Sequence, residues 1–255
     1  MYHNIFDSHA HYDDEQFDID RDELLGSFKE NGISGIICCG VDIKTSEFAV
    51  ELSHKYDFIY SAVGFHPLEN GEYNDGDLEK IKELAKDEKC VAIGEIGLDY
   101  HYEKDSRDNQ LILVEKQIEL ANELGLPIIF HDRESHEDTL NILKKHKPKG
   151  VLHCFSGSVE MAKEIIKLGM YIGLGGAVTF KNAVKPLEVA AFLPSDRLLI
   201  ETDAPYMTPV PFRGKRCDSL HIPYTAERIA EIRGASAQEI LDLTDKNAKV
   251  LFNIG

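Results

Sequence analysis

Eight short runs of apolar residues recur along the chain, and longer segments whose apolar positions follow helical spacing separate them. The runs are apolar at consecutive positions, which is typical of parallel strands buried on both faces. The predicted strands span residues 5–7, 35–40, 59–64, 91–97, 127–131, 151–155, 171–175 and 198–203.

The segments between the runs carry amphipathic helices whose ends can be recognised. Asp20, Asp77 and Ser158 stand where an N-cap is expected, and residues 236–239 have the pattern of a capping box. The glycines placed to end a helix in the left-handed conformation are Gly32, Gly125 and Gly169. Strand and helix are therefore predicted to alternate along the whole chain.

This alternation predicts a parallel sheet, and eight such units in 255 residues have the size of a closed (β/α)8 TIM barrel, an α/β fold. No linker or abrupt change of composition divides the chain, so one domain is expected over residues 1–255. An open doubly wound sheet is the alternative. It would normally carry a glycine-rich phosphate loop after the first strand, where this chain has histidines.

The composition restricts the partners that the chain can bind. It has 28 basic and 45 acidic residues, a formal net charge of −17. Coating nucleic acid requires a broad basic face, so we expect any nucleic acid to be held locally within a cleft. Five cysteines without a CxxC pair predict reduced thiols, and no segment resembles a signal peptide or membrane span. We therefore expect a cytoplasmic monomer that does not bind membranes.

A barrel carries its active site at the C-terminal ends of its strands. Each polar residue at these ends has an ordinary structural explanation when taken alone, but chance does not readily place so many potential ligands at one end. Side chains able to bind a metal stand there on five of the eight runs: His9, His11, Glu95, His131, His153 and Asp203.

Four histidines and two carboxylates are more than one tetrahedral zinc ion needs, so we predict two divalent ions, with Mg, Mn and Zn all possible. The predicted division puts His9, His11 and Asp203 on one ion and His131 and His153 on the other. Glu95 would bridge them. The expected chemistry is hydrolysis by a metal-bound hydroxide, with Glu95 and Asp203 as the catalytic carboxylates and Asp203 orienting the water or accepting its proton.

Residues suited to binding anions stand near the same strand ends. Arg133 follows His131 by two residues, and Arg213 lies in a basic segment after the last run. His66 is a weaker candidate for the same role. Glu201 shares the strand parity of Asp203 and is expected either to orient a metal ligand or to fill the barrel interior.

The chain resembles the TatD family of metal-dependent deoxyribonucleases, which belongs to the amidohydrolase-like barrels. The matching segments are DSHAHYDD, VGFHP, IGEIGLDY, LPIIFHDRESHEDT, HCFSGS, GGAVTFKN, LLIETDAPY and PFRGKR. The resemblance implies a TIM barrel that cleaves DNA phosphodiester bonds, often from a 3′ end, with the six metal ligands named above. It also implies phosphate or substrate contacts near His66, Arg133 and Arg213. The chain departs from the family pattern at Cys217, where an Asn is usual.

Two other functions remain open on the sequence. A related barrel could hydrolyse an amide or a lactone, but such enzymes often bridge their metals with a carboxylated lysine on the fourth strand, where this chain has Glu95. A barrel that binds metal without turnover is the second alternative. The arginines and Glu95 favour a phosphoester substrate.

Overall fold

The eight apolar runs form the eight strands of one parallel sheet in the computed structural model, which describes residues 2–71, 74–103 and 106–255. The strands lie in chain order, and each pairs in parallel with the next. They are β1 (Ile5–Ala10), β2 (Ile33–Cys39), β3 (Ile59–Val63), β4 (Cys90–Asp99), β5 (Ile128–Arg133), β6 (Gly150–Leu152), β7 (Tyr171–Leu174) and β8 (Leu198–Ile200).

Helices connect successive strands and pack around the sheet, so the predicted (β/α)8 TIM barrel is confirmed. The described helices are α1 (Arg21–Ser27), α2 (Ile43–Lys55), α3 (Asp75–Leu84), α4 (Arg107–Leu124), α5 (His136–His146), α6 (Val159–Lys167), α7 (Lys185–Phe192), α8 (Ile222–Arg233) and α9 (Ala237–Phe252). None of these helices has the length and apolar character needed to cross a membrane.

The barrel closes between β1 and the segment that follows β8. The Asp203 amide donates to the His9 carbonyl at 3.0 Å, and the His11 amide donates to the Ala204 carbonyl at 2.7 Å. Two stretches from opposite ends of the chain are thereby held side by side. The closure brings the histidines of β1 next to Asp203.

Two predicted strands are too long at their C-terminal ends. The strands expected over 151–155 and 198–203 end at Leu152 and Ile200. The cause is local backbone geometry, because Cys154 and Asp203 have φ angles of 43° and 62°, in the left-handed region that strands do not use. His153 therefore lies in a turn directly after β6, and Asp203 lies in the irregular segment that follows β8.

Two of the predicted helix caps differ from the structure. Asp20 is the N-cap residue of α1, as predicted, but its carboxylate pairs with the Arg216 guanidinium at 2.6 and 2.7 Å and makes no capping hydrogen bond with this helix. Asp77 lies inside α3, where it completes a capping box whose N-cap is Asn74. The other end signals are confirmed: Ser158 and Ser236 cap their helices, and Gly32, Gly125 and Gly169 each adopt the left-handed conformation.

Candidate metal centre

The residues predicted to bind the first ion converge at the C-terminal end of the barrel. The Nε2 atoms of His9 and His11 lie 2.9 Å apart. They lie 3.4 and 3.3 Å from Glu95 Oε2, and 3.5 and 3.6 Å from Asp203 Oδ1. His9 lies on β1 and His11 follows its last residue, and residues two apart in an extended chain share a face.

The residues predicted for the second ion gather around the other oxygen of the same carboxylate. Glu95 Oε1 lies 2.8 Å from His153 Nε2 and 2.9 Å from His131 Nδ1, and these two nitrogens are 3.3 Å apart. The two oxygens of Glu95 thus face two separate histidine pairs. This is the arrangement expected of a carboxylate that bridges two ions.

The spacing of these atoms fits a metal-binding role. Donor atoms that share one ion through bonds of about 2.1 Å lie about 3.0–3.4 Å apart in octahedral or tetrahedral shells. The described residues offer three groups whose donor atoms lie within 4.8 Å of one another: His9 with Glu95 and His153; His9 with His11 and Asp203; and His66 with Glu95 and His131. Imidazole and carboxylate donors suit Zn and Mn, and carboxylates also suit Mg.

Glu95 is ionised in this setting. Burial by itself would raise the pKa of its carboxyl, but the imidazoles of His153, His9 and His66 hold that pKa well below its usual range. Its side chain is almost completely buried. A buried carboxylate of this kind needs positive charge beside it, which a bound cation would supply.

Cys39, at the end of β2, supports both histidines of β1, although the sequence reasoning did not single it out. Its carbonyl oxygen lies 2.9 Å from His11 Nδ1, and its sulfur lies 3.3 Å from His9 Nδ1. Acceptors at Nδ1 leave the Nε2 atoms free to face a metal. Only the register of β2 against β1 could have identified this residue.

Asp99, at the end of β4, supports His131 from behind. Its Oδ2 lies 3.1 Å from His131 Nε2, so the ring presents Nδ1 to Glu95. Burial would raise the pKa of Asp99, but the hydrogen bond with His131 lowers it to about 2. Pairing of β4 with β5 brings Asp99 to His131, a partnership that apolar patterning does not reveal.

Asp7 lies beneath the metal ligands and binds no histidine ring. Its carboxylate accepts from the Thr202 amide at 2.9 Å, the Thr202 hydroxyl at 2.6 Å and the Ser219 hydroxyl at 2.6 Å. Burial raises its pKa to about 7 against these hydrogen bonds. Asp7 therefore ties β1 to the residue before Asp203. Cys217, where the chain departs from the family pattern, is buried beside this network and does not line the cleft.

Five of the six candidate ligands line a cleft of about 570 Å³, together with His66 and Arg133: His11, Glu95, His131, His153 and Asp203. His66 Nδ1 accepts the Leu68 amide at 3.2 Å, so the remaining proton of the neutral ring is on Nε2, which faces Glu95 at 3.6 Å. Burial lowers the pKa of His66 to about 3, which keeps the ring neutral. His66 is thus a hydrogen-bond donor toward the cleft and is poorly suited to be a metal ligand.

Arg213 is not among the residues that line the cleft. Its guanidinium lies over the Phe180 ring, 3.8 Å from the ring centroid. The phosphate contact expected of Arg213 stays a prediction. Arg133 is the arginine that the fold brings to the metal centre.

A parallel (β/α)8 barrel with clustered histidines and carboxylates at the C-terminal strand ends defines a metal-dependent hydrolase. The family described as TatD related DNase matches residues 6–253, and the chain belongs to this family.

Relatives match over nearly their full lengths. The chain is 47% identical to the uncharacterized metal-dependent hydrolase YabD of Bacillus subtilis, over 98% of this chain and 99% of that protein. It is 33% identical to the 3'-5' ssDNA/RNA exonuclease TatD of Escherichia coli, over 98% and 99%. The crystal structure of YJJV, a TatD homologue from Escherichia coli, superimposes with a TM-score of 0.93 at 32% identity and covers 100% of both chains.

Proposed function

We propose that the protein removes nucleotides from the ends of single-stranded nucleic acid, DNA in the first place, with two divalent cations at the Glu95 cluster. The observation that carries this proposal is the position of Glu95, whose two oxygens face separate histidine pairs in a cleft that Arg133 also lines. A relative at 33% identity is named a 3'-5' ssDNA/RNA exonuclease, which supports the substrate and suggests action from the 3′ end.

The charge of the cluster supports two ions. Four carboxylates meet the histidines here, and every ion pair recorded for them in the described residues is with a histidine. Carboxylates without a lysine or arginine partner need positive charge beside them, which two bound divalent cations would supply. These carboxylates are Glu95, Asp99, Glu201 and Asp203. Bound cations would supply Lewis-acid stabilisation of the phosphate and a water of lowered pKa.

The protein's own side chains bind the substrate phosphates and accept the proton of the attacking water. The His66 Nε2–H group donates to an anionic phosphate oxygen above Glu95. Arg133, on the cleft wall, forms two parallel hydrogen bonds with a neighbouring phosphate. Asp203 is the ligand most open to the cleft, with 20% of its side chain exposed, and accepts a proton from the attacking water.

The shape of the cleft favours a single strand. Its volume of about 570 Å³ is that of a small-molecule pocket, which suits the end of a single strand better than a duplex. Tyr102 and Tyr206 lie on loops after β4 and β8, which are opposite each other in the barrel, and are 63% and 51% exposed. Exposed aromatic rings beside an arginine form a platform on which bases stack.

Replacing Tyr102 or Tyr206 by alanine is expected to raise KM for a single-stranded oligonucleotide about 5-fold to 150-fold, since stacking one base contributes ~1–3 kcal/mol. The value of kcat should stay near that of the wild type, because the contacts recorded for the two side chains in the described part of the chain are with Asp14, His101 and Arg133 and not with the candidate ligands. The matched controls Tyr102→Phe and Tyr206→Phe keep the ring and should keep KM; the second also removes the Tyr206 hydroxyl bond to Asp14. If the wild type and the alanine variants have equal KM values on an oligonucleotide with abasic 3′ residues, the bases make the contact. An unchanged KM on normal DNA would exclude these platforms.

The proposed function is tested with protein stripped by a chelator and reloaded with Mg, Mn or Zn in turn. Substrates are single-stranded and duplex DNA and RNA labelled at the 5′ end, with and without a blocked 3′ end. We expect single-nucleotide ladders from the free 3′ end of the single strand. Turnover of a lactone or dipeptide panel without DNA cleavage would assign the barrel to amide or lactone hydrolysis. Metal binding without any turnover would support the non-catalytic alternative.

A further inference from the structure

Glu201 is a fully buried carboxylate whose hydrogen bonds are incomplete. Its side chain is 0% exposed, and its Oε1 accepts the Cys154 amide. Its Oε2 has no hydrogen-bond partner in the part of the chain that the structure describes. A buried, unpaired carboxylate oxygen is costly, so its presence calls for a function.

The ion pair recorded for Glu201 among the described residues is with the ring of His153, which also has an unpaired nitrogen. His153 Nδ1 has no hydrogen-bond partner among the described residues and lies 3.5 Å from Glu201 Oε1. On the other side of the ring, Nε2 lies 2.8 Å from Glu95. The imidazole thus stands between the carboxylate of the metal centre and a second carboxylate in the barrel interior.

Gly173, on β7, leaves the space that the Glu201 carboxylate occupies. A Cβ atom at position 173 would overlap Glu201 Oε2 and would lie 3.3 Å from the His153 Cα. The φ angle of Gly173 is outside the left-handed region, so the backbone itself does not demand glycine here. The absence of a side chain is required by the neighbouring carboxylate.

We propose that Glu201 is a positioning residue for His153. Its carboxylate accepts a hydrogen bond from the Nδ1–H group. This bond holds the ring proton on Nδ1, orients the ring and leaves the Nε2 lone pair for the second metal ion. Gly173 makes this arrangement possible. The inference rests on the metal centre of the proposed function and is independent of the substrate.

Four variants test this role. Glu201→Met removes the acceptor at similar length, and Glu201→Gln keeps an acceptor oxygen but removes the charge. Gly173→Ala displaces the carboxylate without changing Glu201. Gly175→Ala is the matched control on the same face of the barrel wall, because its Cβ would meet the nearest Glu201 atom at an ordinary 3.5 Å.

Stripped proteins are titrated with zinc against a competing chelator, and thermal melts confirm that each variant is folded. We expect Glu201→Met and Gly173→Ala to lower the affinity for one of the two ions about 10-fold to 100-fold, the usual effect of losing such a partner. The zinc affinities of Glu201→Gln and Gly175→Ala should stay within about 3-fold of the wild-type affinity, a smaller change than that loss. In zinc-loaded protein, NMR should show a slowly exchanging His153 Nδ1–H. Only Glu201→Met and Gly173→Ala should lose this signal.

Wild-type affinity in Glu201→Met and Gly173→Ala would overturn the inference. So would equal losses in Glu201→Gln and Glu201→Met, because the effect would then come from charge alone. The expected zinc and NMR results in a protein that cleaves no nucleic acid would uphold the role of Glu201 and refute the proposed function.

Discussion

Glu95→Gln is expected to lower nucleolytic turnover about 10²-fold to 10⁴-fold, the range typical of losing a group at the reacting centre. Glutamine keeps the size of the side chain but offers one oxygen in place of two, so it cannot face both histidine pairs. Its amide NH2 group would point at nitrogens that should bind metal. The substitution also removes the negative charge of Glu95, because the imidazoles around Glu95 keep its carboxyl ionised.

The measurement is initial rate on end-labelled single-stranded DNA with saturating metal, together with a thermal melt. Glu134→Gln is the matched control, because Glu134 is exposed, pairs with His101 and does not line the cleft. It should retain wild-type rates. A folded Glu95→Gln protein with wild-type turnover would contradict the proposed role of Glu95 as the bridge.

Removing the metals is expected to destabilise the barrel. A ligand present at 1,000 times its Kd stabilises the folded state by ~4 kcal/mol, and ~1 kcal/mol shifts Tm by ~2–4 °C in a chain of this size. Each tightly bound ion should therefore raise Tm by about 8–16 °C. In the stripped protein, the buried Glu95 and its neighbouring carboxylates would lose their counter-charge.

Differential scanning fluorimetry with excess chelator, followed by re-addition of Zn, Mn or Mg, measures this effect. The metal that gives the largest rise in Tm is expected to be the one that binds most tightly. Glu95→Gln should show a smaller metal-dependent rise than the wild type. Identical Tm values with and without metal would contradict a metal centre at this site.

The sequence predicted the barrel and the convergence of the six candidate ligands for one physical reason. Buried parallel strands are recognisable as apolar runs, and closure of such a sheet brings all the strand ends to one rim. His9 and Asp203 are far apart in the chain. They are neighbours in space because a closed eight-stranded barrel in chain order places β1 beside β8 and the segment that follows it.

The side chains behind the ligands could not be predicted in the same way. The partnerships of Cys39 and Asp99 depend on the register between adjacent strands, which apolar patterning leaves open. Apolar patterning also does not show which of several possible partners a polar side chain contacts. Asp20 pairs with Arg216 instead of capping α1, and Arg213 lies over Phe180 instead of lining the cleft.

The most direct test of the two-ion account is nuclease activity measured against metal equivalents added to stripped protein. With Glu95 as a bridge and both histidine pairs as ligands, activity on single-stranded DNA should be low at one equivalent. It should rise with the second equivalent and reach its plateau at two. A plateau at one equivalent, or full activity in the stripped protein, would contradict the account.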